Sequence, residues 1–395
     1  MSVLLIAVVA MLVQQTVATT AKIGLPALFP ALADDLAFDA EYVLAYAWVY
    51  AACSLAVMAG CGGAIRRYGG LRTSQAGCVL MAAGLAAAAL FATPLLVVPV
   101  LAVTALLISV GSTVATPASS QILAAYSPPR WAPLVFSIKQ TGVPAGVAIS
   151  GLVLAPIAVG FGWRGTALGL AVLCLAMAVL LQPLRGRFDS TRDPRAAVSL
   201  GAFGDTVRNV LVHSETRTLA INAFIFVGMQ AIYINFTITY LYEKLDFSLD
   251  EAGRVLGLAT IVAIPARIFW GWIGSTLVRP RTLLAILALL MASSTALVGA
   301  FDPHWSQAAI LAVNCAISLS VLSWHGVLLS EIARLAPAGE AGRLTGGVLA
   351  FGAAGQLFYP VLFGAAFWLA GYLAAWSLIA LPAALVGGAL LLRRG

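Results

Sequence analysis

Three basic residues stand where hydrocarbon is expected. Lys22, Lys139 and Arg267 lie inside long apolar runs, while all fifteen acidic residues fall between such runs or at their ends. A charge at the centre of a membrane-spanning helix costs about 2.5–3.5 kcal/mol on insertion scales, so each cation needs a wet cavity or a partner. No carboxylate is placed to be that partner. The simplest counter-charge is a bound anion. The chemistry on offer is therefore reversible anion binding, and no nucleophile–base or metal constellation lies within the apolar runs to suggest an enzyme.

Polar residues at helical spacing extend this reading. Gln15, Thr19 and Lys22 recur at i, i+4 and i+7 and share one helix face. Lys139, Gly142, Gly146 and Ser150 line up likewise, with Gln140 beside the lysine, and Ser109, Ser112, Thr116 and Ser119 form another stripe. Later in the chain come Gln230, Tyr233, Thr237 and Tyr240, then Asn314, Ser318 and His325, then Gln356 and Tyr359. The candidate substrate contacts are Lys22, Lys139, Gln140, Arg267, Gln15, Gln230, Tyr233, Tyr240, His325, Gln356 and Tyr359. Each has a structural alternative. Lys139 is close to one end of its run and can snorkel to lipid phosphates. Lys22 stands some twenty residues into its run, toward the opposite interface. Arg267 follows Pro265 and can bond carbonyls freed by a proline kink. His325, beside Trp324, is either a proton or ligand group or a satisfied core histidine. The tyrosines can serve as packing, and the glutamines as glue between helices.

The elements that must carry these residues follow from composition. The chain has 395 residues, 62% hydrophobic and 9% charged, against about 25% charged in a soluble domain. Runs of eighteen or more apolar residues recur, each able to cross a hydrocarbon core about 30 Å thick. This is the pattern of an all-α polytopic membrane protein; a barrel would show short alternating strands. Twelve spans are expected, at about 3–32, 42–64, 73–93, 95–123, 135–161, 165–184, 217–242, 250–277, 282–301, 305–333, 343–369 and 371–392. The first run, from Ser2, is too long for a signal-peptide core and reads as a retained first span. The five cysteines lie within apolar runs without CxxC spacing and read as packing residues, so no metal or cofactor is expected.

Charge orients the chain. With the N-terminus inside, sixteen Lys or Arg fall on the inner side, Arg393 and Arg394 among them, and three on the outer side, Arg164, Lys244 and Arg254. The positive-inside rule then places both termini in the cytoplasm. The net charge of +7 is this topology signal and implies no nucleic-acid partner. One long polar stretch, 185–216, divides the chain into halves of six spans, 1–184 and 217–395. Within it, GAFGDTVRNVLV has the pattern of a short amphipathic helix. Six plus six around a basic linker is the layout of a transporter built from repeats.

The loop GGAIRRYGGLR, Gly62 to Arg72, resembles the signature loop of the major facilitator superfamily, Gly-x-x-x-Asp-Arg-x-Gly-Arg-Lys/Arg. Gly62, Arg67 and Gly69 match, and Arg72 supplies a displaced basic residue. Arg66 stands where the family has Asp. A degraded second copy, GWIGSTLVRPR, has Ser275 and Thr276 in place of the Asp-Arg pair. The resemblance implies a fold of twelve spans in two pseudo-symmetric halves, with spans 1, 4, 7 and 10 around a central cavity. It also implies that the loop ties the halves together on the cytoplasmic face. With the acid missing from both copies, another contact is expected in its place. GVPAGVAISG, with Gly142, Gly146 and Gly151, is similar to a family feature in which small residues let helices approach.

A lysine in span 1 with an arginine in span 8 is similar to the monocarboxylate-transporter arrangement, although the proton-coupling Asp one turn earlier is here Ala263. The expected function is alternating-access transport of a small organic anion, a carboxylate, coupled to a proton or an exchanged anion. The alternative is a drug efflux pump of the same superfamily. The expected setting is a monomer in a bacterial inner membrane, its partners the substrate and the lipid bilayer.

Overall fold

The computed structural model describes residues 3–38, 42–190, 192–198 and 202–392. Ser2, Arg393 and Arg394 lie outside the described residues. Within them the chain is helical, with no strand. Hydrocarbon offers backbone N–H and C=O groups no partners, so a spanning segment must satisfy them internally, and a helix does so residue by residue. In chain order the helices are α1 (Val3–Ala27), α2 (Phe29–Leu36), α3 (Tyr42–Tyr68), α4 (Gly70–Phe91), α5 (Val97–Thr113), α6 (Ala115–Tyr126), α7 (Ala132–Gln140), α8 (Gly142–Leu152) and α9 (Leu154–Leu181). After a short α10 (Arg185–Phe188) and the linker helix α11 (Ala202–Val212) come α12 (Ser214–Leu245), α13 (Leu249–Thr276), α14 (Pro280–Gly299), α15 (Gln307–Val321), α16 (His325–Leu335) and α17 (Ala341–Leu392).

Ten helical stretches among the described residues are long and apolar enough to cross a membrane, against the twelve runs read from the sequence. The difference lies at two places. The helix α17 is continuous over 52 residues except at Gly371, whose φ of 77° and ψ of −175° are non-helical and kink it. In α9 the same happens at Gly162, with φ 69° and ψ 169°. Glycine reaches this region without a Cβ clash. The run 135–161 is also cut at Thr141 and Val153, into α7, α8 and the opening of α9. Other runs break inside a continuous apolar stretch: α5 and α6 meet at Val114, three residues before Pro117, and α15 gives way to α16 over 322–324, just before Gly326. Pro265, in contrast, sits within an unbroken α13.

The helices pack into two compact units. One comprises Met1–Ser127, Lys139–Asn209 and Ala336–Gly347; the other comprises Pro128–Ile138, Val210–Leu335 and Val348–Gly395. Each therefore takes one short segment from across the linker.

Glycines decide the closest approaches in the first unit. A Cβ on Gly77 of α4 would stand 2.5 Å from the carbonyl oxygen of Gly111 on α5, and the converse contact is as tight. Gly142 and Gly146 bring α8 onto α1, where a Cβ would meet Leu12 O at 2.7 Å and Thr19 Cβ at 2.6 Å. Gly151 meets nothing within 4 Å. It lies five residues beyond Gly146, on another face, so two of the three glycines serve the approach and the third does not.

In the second unit Ser137 is lodged between Gly271 of α13 and Gly326 of α16. Gly228 of α12 lies under the ring of Tyr359. Replacing Gly111 with Leu should lower stability by about 1–3 kcal/mol, the usual cost of overpacking. Gly169→Ala, at a position with nothing within 4 Å, should leave it unchanged; thermal unfolding of the purified variants checks both.

Candidate functional site

Lys139 ends the short helix α7, and the glycine face of α8 holds that segment against α1. The lysine is 1% exposed, and its Nζ donates to Gln15 Oε1 at 2.6 Å. The same oxygen accepts from Thr116 Oγ1 at 3.1 Å, while Gln15 Nε2 donates to Thr19 Oγ1 at 3.4 Å. The snorkelling alternative for Lys139 therefore fails: the ammonium turns inward to an amide. Gln140 beside it is equally enclosed. The buried acids among the described residues are Asp189 and Glu331.

Lys22 lies seven residues along α1 from Gln15, about 10 Å of helix. It is half-buried, with Nζ 5.3 Å from the centre of the Tyr50 ring. That ring is fixed by its hydroxyl to Ser112 Oγ at 2.7 Å, and Ser109 Oγ donates to Tyr50 O at 2.8 Å. Tyr50 is absent from the sequence-derived candidates, although Tyr42, Tyr46 and Tyr50 repeat at four-residue spacing.

The second unit buries Arg267, 3% exposed on α13. The neighbouring turns are tied to the α15–α16 segment by Ser323 Oγ donating to Ala263 O at 3.3 Å and Trp270 Nε1 donating to Leu319 O at 2.7 Å. Tyr233 donates to Asn314 O at 3.1 Å and shares a 3.2 Å bond with Ser318 Oγ, which joins two of the polar stripes. His325 stacks on Trp324 with ring centres 3.7 Å apart. Gln230 Oε1 and the buried Tyr359 hydroxyl have no hydrogen-bond partner among the described residues.

Two candidates separate from this group. Tyr240 donates to Val298 O at 2.7 Å and sits among Phe301, Tyr372 and Trp376, an aromatic packing cluster. Gln356 is exposed while Tyr359 is buried, so that pair shares no environment.

The loop at Gly62 to Arg72 is built around residues the motif does not contain. Arg66, in the acid's place, donates to Glu340 Oε1 at 3.0 Å and Asp193 Oδ2 at 3.4 Å. Arg343 approaches Glu340 at 3.7 Å, and its side chain leaves room only for glycine at Gly62. Gly69 has φ 96°, and a Cβ there would collide with Asp189. Asp189 accepts from the backbone N–H groups of Leu71 at 2.8 Å and Arg72 at 2.9 Å, capping α4. Burial pushes its carboxyl above the usual range, against those donors and Arg185 and Arg192, which pull it down. The motif residue Arg67 is exposed over Tyr68, and the Arg72 side chain reaches Gln75 at 3.4 Å. In the second copy Ser275 accepts from Leu134 N at 3.1 Å, the neutral counterpart of such a cap. Asp189→Ala should lower stability by about 0.5–2 kcal/mol, the cost of a lost helix cap, while Arg67→Ala should not; parallel thermal midpoints decide.

Comparison with known proteins agrees with this architecture. The probable nitrate/nitrite transporter NarK2 of Mycobacterium tuberculosis is 34% identical over 148 residues, 37% of this chain and 36% of that protein. The uncharacterized MFS-type transporter Rv2994 of the same organism is 27% identical over 272 residues, 66% of this chain. The match spans 57% of Rv2994, so both alignments leave much of the relatives' length uncovered. Among solved structures, the human organic anion transporter MFSD10 superposes with a TM-score of 0.78 at 14% identity, over 99% of this chain and 100% of that one. At that identity the likeness is one of fold. The sequence profile of the Major Facilitator Superfamily matches residues 4–360. With helices able to span a membrane on both sides of the linker, the chain belongs to the major facilitator superfamily.

Proposed function

We propose that the protein is a secondary transporter for a small oxyanion, a carboxylate foremost, working by alternating access. The observation that carries this reading is Lys139: a fully enclosed ammonium held by the amide oxygen of Gln15. A basic residue inside a membrane-spanning segment favours an anion near it. Arg267 supplies a second enclosed cation, and Lys22 a half-buried one. The similarity to NarK2, a probable nitrate/nitrite transporter, supports anion chemistry and adds inorganic oxyanions to the test.

In this reading the turns at Gly162 and Gly371 each divide two spans, giving twelve, with both termini in the cytoplasm of a bacterial inner membrane. The protein works as a monomer and performs no covalent chemistry. An empty cationic site resists closure and a neutralised one permits it, which suits exchange or proton symport. His325 or the substrate acid carries any coupled proton. Arg66 and Glu340, an ion pair between the signature loop and the segment before α17, take the tethering role that the missing acid leaves open.

Ligands that bind the native state raise its stability as they saturate it. Small carboxylates or nitrate should raise the thermal midpoint of the wild type, and both Lys139→Met and Arg267→Ala should lose that response. Stabilisation by cationic amphiphilic drugs alone, unchanged in both variants, would favour the efflux pump and refute the anion reading.

A further inference from the structure

A cavity of about 270 Å3 lies in the second unit where α12 and α14 begin and α16 and α17 end. Its innermost polar residue is Asn222, on the third turn of α12. Asn222 is 0% exposed, and neither atom of its amide has a hydrogen-bond partner. A buried amide left unsatisfied costs about 1–3 kcal/mol, and native folds rarely keep one without a use. The residue stands eight positions before Gln230, about 12 Å along the helix, so it belongs to none of the candidate substrate contacts.

The remaining lining explains what an amide would be doing there. Glu331 is 5% exposed. Its carboxylate takes Nε and Nη2 of Arg334 at 2.9–3.2 Å. A carboxylate offers about four acceptor positions, so it keeps capacity for another donor. Arg281 reaches the cavity from the first turn of α14, and Glu215 from the first turn of α12. The N-terminal N–H groups of α12 add positive potential on that side. Two arginines and two glutamates cancel, so a bare anion or a bare cation gains little. A molecule with both charges gains at both ends. The amide of Asn222, donor and acceptor in one group, matches such a molecule. Leu219, Leu284 and Leu390 line the cavity as well and suit an attached hydrocarbon or glycerol portion.

We infer that this cavity binds a zwitterion in which an ammonium is tethered to an oxyanion, the chemistry of ethanolamine phosphate. The ammonium meets Glu331 and Asn222 Oδ1; the oxyanion meets Arg281 and the start of α12. The surrounding bilayer is one source of this group, as a lipid headgroup, and a free solute is the other. The inference is independent of what the cations at Lys139 and Arg267 carry.

The test uses the purified full-length protein in detergent, titrated with three probes: a short-chain phosphatidylethanolamine, a short-chain phosphatidylglycerol and free O-phosphoethanolamine. The thermal midpoint should rise saturably with the ethanolamine lipid and not with the glycerol lipid. A rise with free O-phosphoethanolamine as well assigns the site to a soluble ligand of the same chemistry. Asn222→Leu and Arg281→Gln should each weaken the apparent affinity about tenfold or more, the worth of one charge-assisted hydrogen bond. Asn222→Leu removes an unsatisfied amide, so its fold is expected to persist, and Arg281→Gln on the rim provides a second variant. Equal responses to the two lipids, no response to either ethanolamine probe, or responses unchanged in both variants would overturn the inference.

Discussion

An ammonium taken out of water loses hydration worth several kcal/mol even after its surroundings relax. At Lys139 the amide of Gln15 meets part of that cost. Gln15 turns its amide oxygen to the ammonium, Thr116 bonds the same oxygen, and Thr19 takes the other end of the amide. The glycines of α8 exist for this contact: side chains at Gly142 and Gly146 would push the lysine-bearing segment off α1.

Where charge is placed outside the apolar runs, the chain does use carboxylates. Asp189 caps α4, Glu340 and Asp193 hold Arg66, and Glu331 holds Arg334. This division follows from dielectric: near water an ion pair is cheap and reversible, so it suits contacts that form and break. In the signature loop the acids that meet Arg66 come from outside the motif, at Asp193 and Glu340. Glycine is still required at Gly62 and Gly69, by Arg343 and Asp189, so two positions of the motif are kept by neighbours that the motif does not contain.

Much of this was legible in the sequence, and the remainder was hidden for identifiable reasons. Membrane helices, the linker and the polar stripes depend on local composition and periodicity, which a linear reading captures. The placement of Lys139 and Gln15 on separate stripes was readable, but their pairing was not, because it depends on how α8 is rotated against α1. Arg66 and Glu340 are separated by 274 positions, and no local pattern links them. Tyr240 shares a helix face with Tyr233 by periodicity, but its aromatic neighbours Phe301, Tyr372 and Trp376 come from distant parts of the chain that no local pattern names. The helix breaks at Val114 and Thr141 have local signals, Pro117 in the first turn of α6 and Gly142 with Pro144 at the start of α8, but the apolar runs continue through both, so a reading by hydropathy passes over them. Gly371 was read as the first residue of a new span, and the helix does kink there, at its one non-helical residue.

The most direct test of the central claim is flux. Wild-type protein and Lys139→Gln, reconstituted into proteoliposomes, would be compared for uptake of labelled small carboxylates and nitrate. The account predicts saturable anion uptake by the wild type that is lost in the variant, because a neutral side chain at that place attracts no anion. Carriage of cationic amphiphiles without anions, undiminished in Lys139→Gln, would contradict it.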